Sequence, residues 1–241
     1  MKKIIFAFIT IVVAVAVTQA QKTINDPNAE KRNVSGFHAI EVGGGIDLYL
    51  SQGNEAVAVS ASETKYREKI KTEVVNGVLK IQYEYQKGLK ISWNDSKMKL
   101  KAYVSCKDID GLHAAGGSDV IVDGVLKLAK LDLNISGGAD FTGKVDIVTL
   151  KANANGGSDI NISGSAKTLD IKASGGSDVD GFELSVENCN ADASGGSDIS
   201  ITATKELNVE SSGGSDVYYK GAAVIRNIKS SGGGSVKKAS K

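Results

Sequence analysis

The sequence predicts an all-β fold, a parallel β-helix (solenoid) of coils of about 18-21 residues with an N-terminal elaboration. Three observations carry this expectation. Gly-Gly-Ser-Asp, or a near copy, starts at Gly116, Gly137, Gly156, Gly175, Gly195 and Gly213, with a degenerate copy at Gly232, so the signature returns every 18 to 21 residues. Each copy is preceded by small or apolar residues at alternate positions and followed by a second short alternation. The chain holds 28 glycines, one proline and only 5% aromatic residues, which suits a thin core shared between stacked units. Units this short cannot bury an apolar face alone and must stack on their neighbours.

Taken in chain order, Lys2 and Lys3 precede an apolar run from Ile4 to Val17 that closes on Thr18, Gln19 and Ala20. Residues 1–20 are therefore expected to be a signal peptide. A spanning helix needs about 20 apolar residues and does not normally end in small residues suited to cleavage. No cysteine stands near the cleavage point and no later apolar stretch is long enough to cross a membrane, so the expected product is exported without a transmembrane anchor, periplasmic or at the cell surface or secreted. Residues 21–33 are polar, contain the only proline, Pro27, and read as a flexible leader, with order starting near Val34 and one β-helical domain over 34–236.

An early copy of the pattern, Ile40, Val42, Gly44, Gly45, Ile46, Asp47, Leu48 and Leu50, is followed by residues 53–105, read as a non-repeat elaboration or cap. There, Val57, Val59 and Ala61 alternate as a strand, Glu63 to Glu73 suit a short charged helix, and Val74 to Tyr85 read as a hairpin turning at Asn76 and Gly77. Residues 106–236 are the glycine-ladder coils. Leu131, Leu133 and Ile135, or Leu169, Ile171 and Ala173, give one inward strand face, and Val120 with Val122, or Ile160 with Ile162, give the next. A coil of this length has a contour of about 60 Å, enough for two or three short strands and their turns. Leucine-rich repeats need an irregular return segment with Asn, and propeller blades need about 40 residues, so neither suits this pattern. Arg226 interrupts the last inward row, and residues 237–241 form a basic tail, as an edge-protecting terminus would.

Basic and acidic residues nearly cancel, 29 against 28, and no basic stripe with interleaved aromatics appears, which argues against nucleic acid. Asp119, Asp140, Asp159, Asp178, Asp198 and Asp216 hold one place in successive units and should form a column. At about 4.8 Å spacing, neighbouring carboxylates repel by about 1 kcal/mol in water. Hydrogen bonds from turn amides offset this most simply. The sharper alternative is a row of calcium ions between carboxylates and turn carbonyls, although known calcium repeats run at half this period with a third glycine. Glycine pairs followed by strands do not make phosphate loops. With two His and three Arg, all scattered, no catalytic residue is singled out. Trp93, with Tyr83, Tyr85 and Asp95, is the best localised carbohydrate-binding candidate, against a simpler reading in which Ile81, Tyr83 and Tyr85 pack under the cap. Cys106 and Cys189 stand about four coils apart, too far for a bridge, and are expected as two unpaired, mostly buried thiols.

The Gly44, Gly45, Ile46, Asp47 copy, the Val75 to Ile81 hairpin, the Leu100 to Val104 strand and the glycine ladder resemble the bacterial family described as "putative auto-transporter adhesin, head GIN domain", over about residues 34–236. Asp47 stands where the family label implies Asn. The resemblance implies a β-helical fold and an envelope setting of the Bacteroidetes type. A self-transporting adhesin needs a C-terminal membrane barrel, and no amphipathic strands of about ten residues follow Gly232. The expected function is a non-enzymatic cell-envelope binding or structural module, adhesin-like, with an envelope protein or polysaccharide as partner and no cofactor. The alternative is a calcium-stabilised glycan-binding or glycan-cleaving protein.

Overall fold

Each Gly-Gly pair makes a corner at which successive coils touch. Gly195 has φ 77°, and a Cβ there would sit 3.0 Å from the carbonyl oxygen of Gly175 one coil back. Glycine alone combines that conformation with that approach. A computed structural model describes residues 26–85 and 97–240. It is 68% strand and 2% helix and winds about seven turns of a parallel β-solenoid, with coils about 19 residues apart.

Five long strands make the body: β9 (Val120–Ser136), β10 (Asp140–Asn155), β11 (Asp159–Gly175), β12 (Asp178–Gly195) and β13 (Asp198–Ser211). Each pairs in parallel with the next, so equivalent residues stack: Leu131, Leu150, Leu169, Cys189 and Leu207 in one row, Val120, Phe141, Ile160, Val179 and Ile199 in another. No member of either row is more than 2% exposed. The alternation places these side chains inside, and stacking like on like fills the interior that one coil leaves open.

At the N-terminal end the spatial order departs from the chain order. β2 (Ala39–Val42), a glycine corner and β3 (Asp47–Gln52) form one coil. The chain then leaves through β4 (Ala56–Ser60), helix α1 (Thr64–Arg67), β5 (Ile70–Val75) and β6 (Val78–Tyr83), and returns in β7 (Lys101–Cys106) and β8 (Gly111–Ala115). β6 and β7 lie parallel to β2 and β3 on their outer side, while β8 lies between β2 and β9. The region read as a non-repeat elaboration thus contains the outermost coil. Antiparallel β5 and β4 cover it, and β1 (Glu30–Arg32) covers β4. Where β3 departs, the Gln52 side-chain amide donates to the carbonyls of Lys107 (2.9 Å) and Lys127 (2.8 Å), and its oxygen accepts the Lys127 N–H (3.0 Å).

Three local expectations change. Order begins before Val34, because Arg67 donates to the Asn28 carbonyl and pairs with Glu30, and Tyr103 donates to Asp26, contacts across 37 to 77 residues. The charged helix shrinks to Thr64–Arg67, since residues from Ile70 are taken as the strand opposite β6; tertiary pairing outweighs a weak propensity. The basic tail is partly strand: Lys237 and Lys238 belong to β16 (Ser235–Lys238), paired with β14 (Asp216–Lys220). The hairpin turn falls at Asn76 (φ 52°) and Gly77 (φ 77°), as an Asn-Gly turn requires. Residues 1–20 lie outside the described residues.

Both cysteines are free and buried. Five strand steps separate β7 from β12, about 24 Å at about 4.8 Å each. Burial, with nearby carboxylates adding, pushes each thiol up to about 12. Alkylation at pH 8 is expected to spare both thiols in the native protein and label both after denaturation. A non-reduced mass lighter by two hydrogens would refute this register.

Candidate functional site

The residue after each Gly-Gly-Ser corner opens a strand, so register alone carries Asp119, Asp140, Asp159, Asp178, Asp198 and Asp216 into one column, and adds Asp47 at its head. The carboxylates bond between coils. Asp140, Asp159 and Asp198 accept the backbone N–H of Asp159 (3.1 Å), Asp178 (3.3 Å) and Asp216 (3.1 Å). Burial and the neighbouring Asp119 raise the Asp47 carboxyl above its usual range, and burial and Asp140 do the same for Asp119. At the far end, hydrogen bonds from Ser235 and Tyr218 lower Asp216. Among the described residues no three His, Cys, Asp or Glu side chains are grouped to hold a metal ion.

A raised folded pKa means that folding disfavours the carboxylate. Asp119 therefore opposes folding above its folded pKa, and the opposition fades as pH falls through that value toward 3.8. Asp119→Asn keeps an acceptor and removes the charge. It is expected to stabilise at pH 7 by less than about 1 kcal/mol, since water screens the column, with no gain at pH 3. Urea melts of both proteins at the two pH values check the sign.

The serine of the signature was not singled out in the sequence, yet it is the buried member. Ser118, Ser158, Ser177, Ser197 and Ser215 are all fully buried. The Ser197 hydroxyl accepts the Ser194 N–H (3.2 Å) and lies 2.9 Å from the Ser194 carbonyl and 3.0 Å from the Ala173 carbonyl one coil back. It ties a corner to the coil beneath. The available signal was what replaces serine: Ile46 and Ala139, both apolar and both fully buried. Ser197→Ala is expected to lose about 1–3 kcal/mol by stranding buried backbone groups, while Ala139→Ser is tolerated. Paired thermal melts test both.

The outer face is a set of polar ladders. Asn153 donates to Asn134 (2.8 Å), Asn208 to Asn190 (2.9 Å) and Ser165 to Asp146 (2.9 Å), each across one coil. In the cap, Tyr83 is 9% exposed and meets the ring of Tyr85 edge-on at 4.8 Å, and the Tyr85 hydroxyl donates to the Gly44 carbonyl (3.1 Å). Trp93 and Asp95 lie outside the described residues. A second aromatic pair escaped the sequence reading: Tyr49 and Tyr103 stack at 5.2 Å, and Lys101 sits 5.7 Å above the Tyr49 ring. Only the pairing of β3 with β7 joins these two tyrosines, and the Tyr103 hydroxyl, its pKa raised by burial and by Asp26, holds the N-terminal segment.

The family model described as "Putative auto-transporter adhesin, head GIN domain" matches residues 36–223. The chain belongs to this family. In this head GIN domain the Gly45, Ile46, Asp47 corner heads the carboxylate column, and the Ile46 N–H donates to Ser118 (3.0 Å). A "putative adhesin" from Bacteroides fragilis shares the fold at TM-score 0.79 and 19% identity, over 88% of this chain and 96% of that one. A "putative adhesin" from Parabacteroides merdae does so at 0.68 and 18%, over 88% and 95%. A "Putative lipid binding protein" from Parabacteroides distasonis does so at 0.61 and 21%, over 88% and 98%. At such identities the likeness concerns the fold. Curated proteins include no significant match. Among the described residues no helix is long and apolar enough to cross a membrane.

Proposed function

We propose that this head GIN domain is a non-enzymatic, adhesin-like module of the cell envelope, exported by residues 1–20, with residues 34–236 as its working domain. It binds an envelope protein or polysaccharide, or helps assemble one, through the polar ladders outside its coils. The observation that carries this reading is the Asn134–Asn153 and Asn190–Asn208 ladders, amide groups held at the coil repeat on a rigid parallel scaffold. An extended polymer meets such a surface at several equivalent points at once, which favours avidity over a single deep site.

A thermal-unfolding screen against polysaccharides tests the reading, since a ligand at 100 times its Kd stabilises by about 2.7 kcal/mol. The supporting result is a raised midpoint with one polysaccharide class that is lost in Asn134→Ala/Asn153→Ala. A rise that survives this double variant would move the contact elsewhere. The second reading, a calcium-stabilised glycan-binding or glycan-cleaving protein, is favoured by the seven-carboxylate column and by the nearness in sequence of Tyr83, Tyr85, Trp93 and Asp95. EGTA against Ca²⁺ in the same screen separates it: a calcium-dependent midpoint would replace the first reading with the second.

A further inference from the structure

The C-terminal coil is unlike the others. Among the described residues, the strand pairing of β15 (Val224–Ser230) is with β13 on one side, and that of β16 is with β14 on one side. Both outer edges therefore offer backbone N–H and C=O groups to a further strand. The inward row runs on through Ile225 and Ile228, opposite Leu207 and Val209, but these two are 42% and 41% exposed where their partners are fully buried. Charge also changes here: Val217 to Lys241 contains six Lys and Arg residues and no Asp or Glu. Arg226 and Lys229 pair backward with Glu206 and Glu210.

We propose that the open edges of β15 and β16 accept an extended partner strand, apolar at two alternate positions over Ile225 and Ile228 and acidic on either side of them, toward Arg226 and Lys229. Such a strand would satisfy the backbone edge, the apolar row and the basic rim together. A second copy of this chain fits less well. Tail-to-tail stacking sets two all-basic coils against each other, and head-to-tail stacking meets β1 and β5, whose charges are mixed. A lipid surface leaves the edge amides without partners. The inference rests on the binding-module reading for its setting and names a partner class for it.

The probe is the peptide Glu-Leu-Asn-Val-Glu-Ser, the chain's own residues 206–211, which already pairs with β15 from the other side. Titrated at millimolar concentration into isotope-labelled protein, it should shift amide resonances within residues 224–238. Lys229→Glu should weaken it about tenfold, and a peptide with both Glu changed to Lys should recover binding to that variant. Of two peptides N-methylated on alternate amides, one should lose binding and the other keep it. Absence of shifts at residues 224–238, or equal binding by both N-methylated peptides, would overturn strand addition. So would self-association that Ile228→Lys abolishes, or preferential binding to phosphatidylglycerol vesicles. A failed titration beside a positive polysaccharide shift would overturn this inference and leave the module reading intact.

Discussion

Gly164→Ala is expected to destroy most of the stability of the fold. Gly164 has φ 110°, and a Cβ built on it is driven into the backbone carbonyl of Val145 in the preceding coil. Val145, Gly164 and Leu184 are register partners in three successive coils, so the clash is relieved only by moving backbone that two ladders hold. A flexible side chain could swing away; a ladder carbonyl cannot. The expected loss is above about 4 kcal/mol, in the range reserved for broken backbone or core geometry. Gly157→Ala is the matched control, with φ 76° but no atom within 4 Å of the new Cβ, and should cost only about 1–2 kcal/mol of left-handed strain. Urea unfolding followed by circular dichroism reads both. Equal losses would show that conformation, and not the approach of the coils, makes these positions glycine.

Phe141→Ala should cost about 3–5 kcal/mol, the range of buried aromatic truncations. Phe141 is fully buried in a row otherwise built of Leu48, Val120, Ile160, Val179, Ile199 and Val217. Its ring lies over Gly143 of the same coil, where an added Cβ would come 2.8 Å from the ring, so one large side chain fills space that a glycine leaves. A coil laddered on both sides, without a break toward β11 and with a single register shift after Thr142 toward β9, has little freedom to collapse into the cavity. The denaturant midpoint should fall with an unchanged slope. A loss under about 1 kcal/mol would mean that the neighbouring coils close the gap, and that the solenoid interior is softer than its register implies.

Both variants address features that were legible to different degrees. The glycine column, the inward alternation and the aspartate column all follow from one periodicity, because parallel stacking converts equal places in the sequence into equal places in space. That is why the spacing of Asp119 to Asp216 in the sequence is enough to place them in one line. In the sequence Gly164 merely follows the short alternation of Ile160 and Ile162; its close approach to Val145 belongs to a different coil and leaves no local trace. The serine column was hidden for a related reason. Serine is ordinarily a surface or turn residue, and a hydroxyl that bridges its own corner to a carbonyl about 22 to 24 residues earlier is visible only when the coils are stacked.

The N-terminal end shows the limit most clearly. Residues 53–105 lack the repeat, and β6 and β7 nevertheless extend the same parallel ladders outside β2 and β3, because strand pairing is a backbone interaction that tolerates many side chains. Nothing in the order of residues says that the chain goes outward before it comes back to β8. Likewise the leader becomes ordered through Arg67 and Tyr103, whose partners at Asn28, Glu30 and Asp26 are ordinary polar residues until the fold brings them together.

By itself, then, the sequence determined the class of fold, the coil length, the corners and the identity of the inward and outward rows, since each is a repeated local choice. Tertiary structure decided which carboxylate answers which amide, which serine is buried, where the first coil sits and which edges stay open. Those are set by contacts between residues distant in the chain, and a linear pattern carries no information about a partner that only stacking supplies.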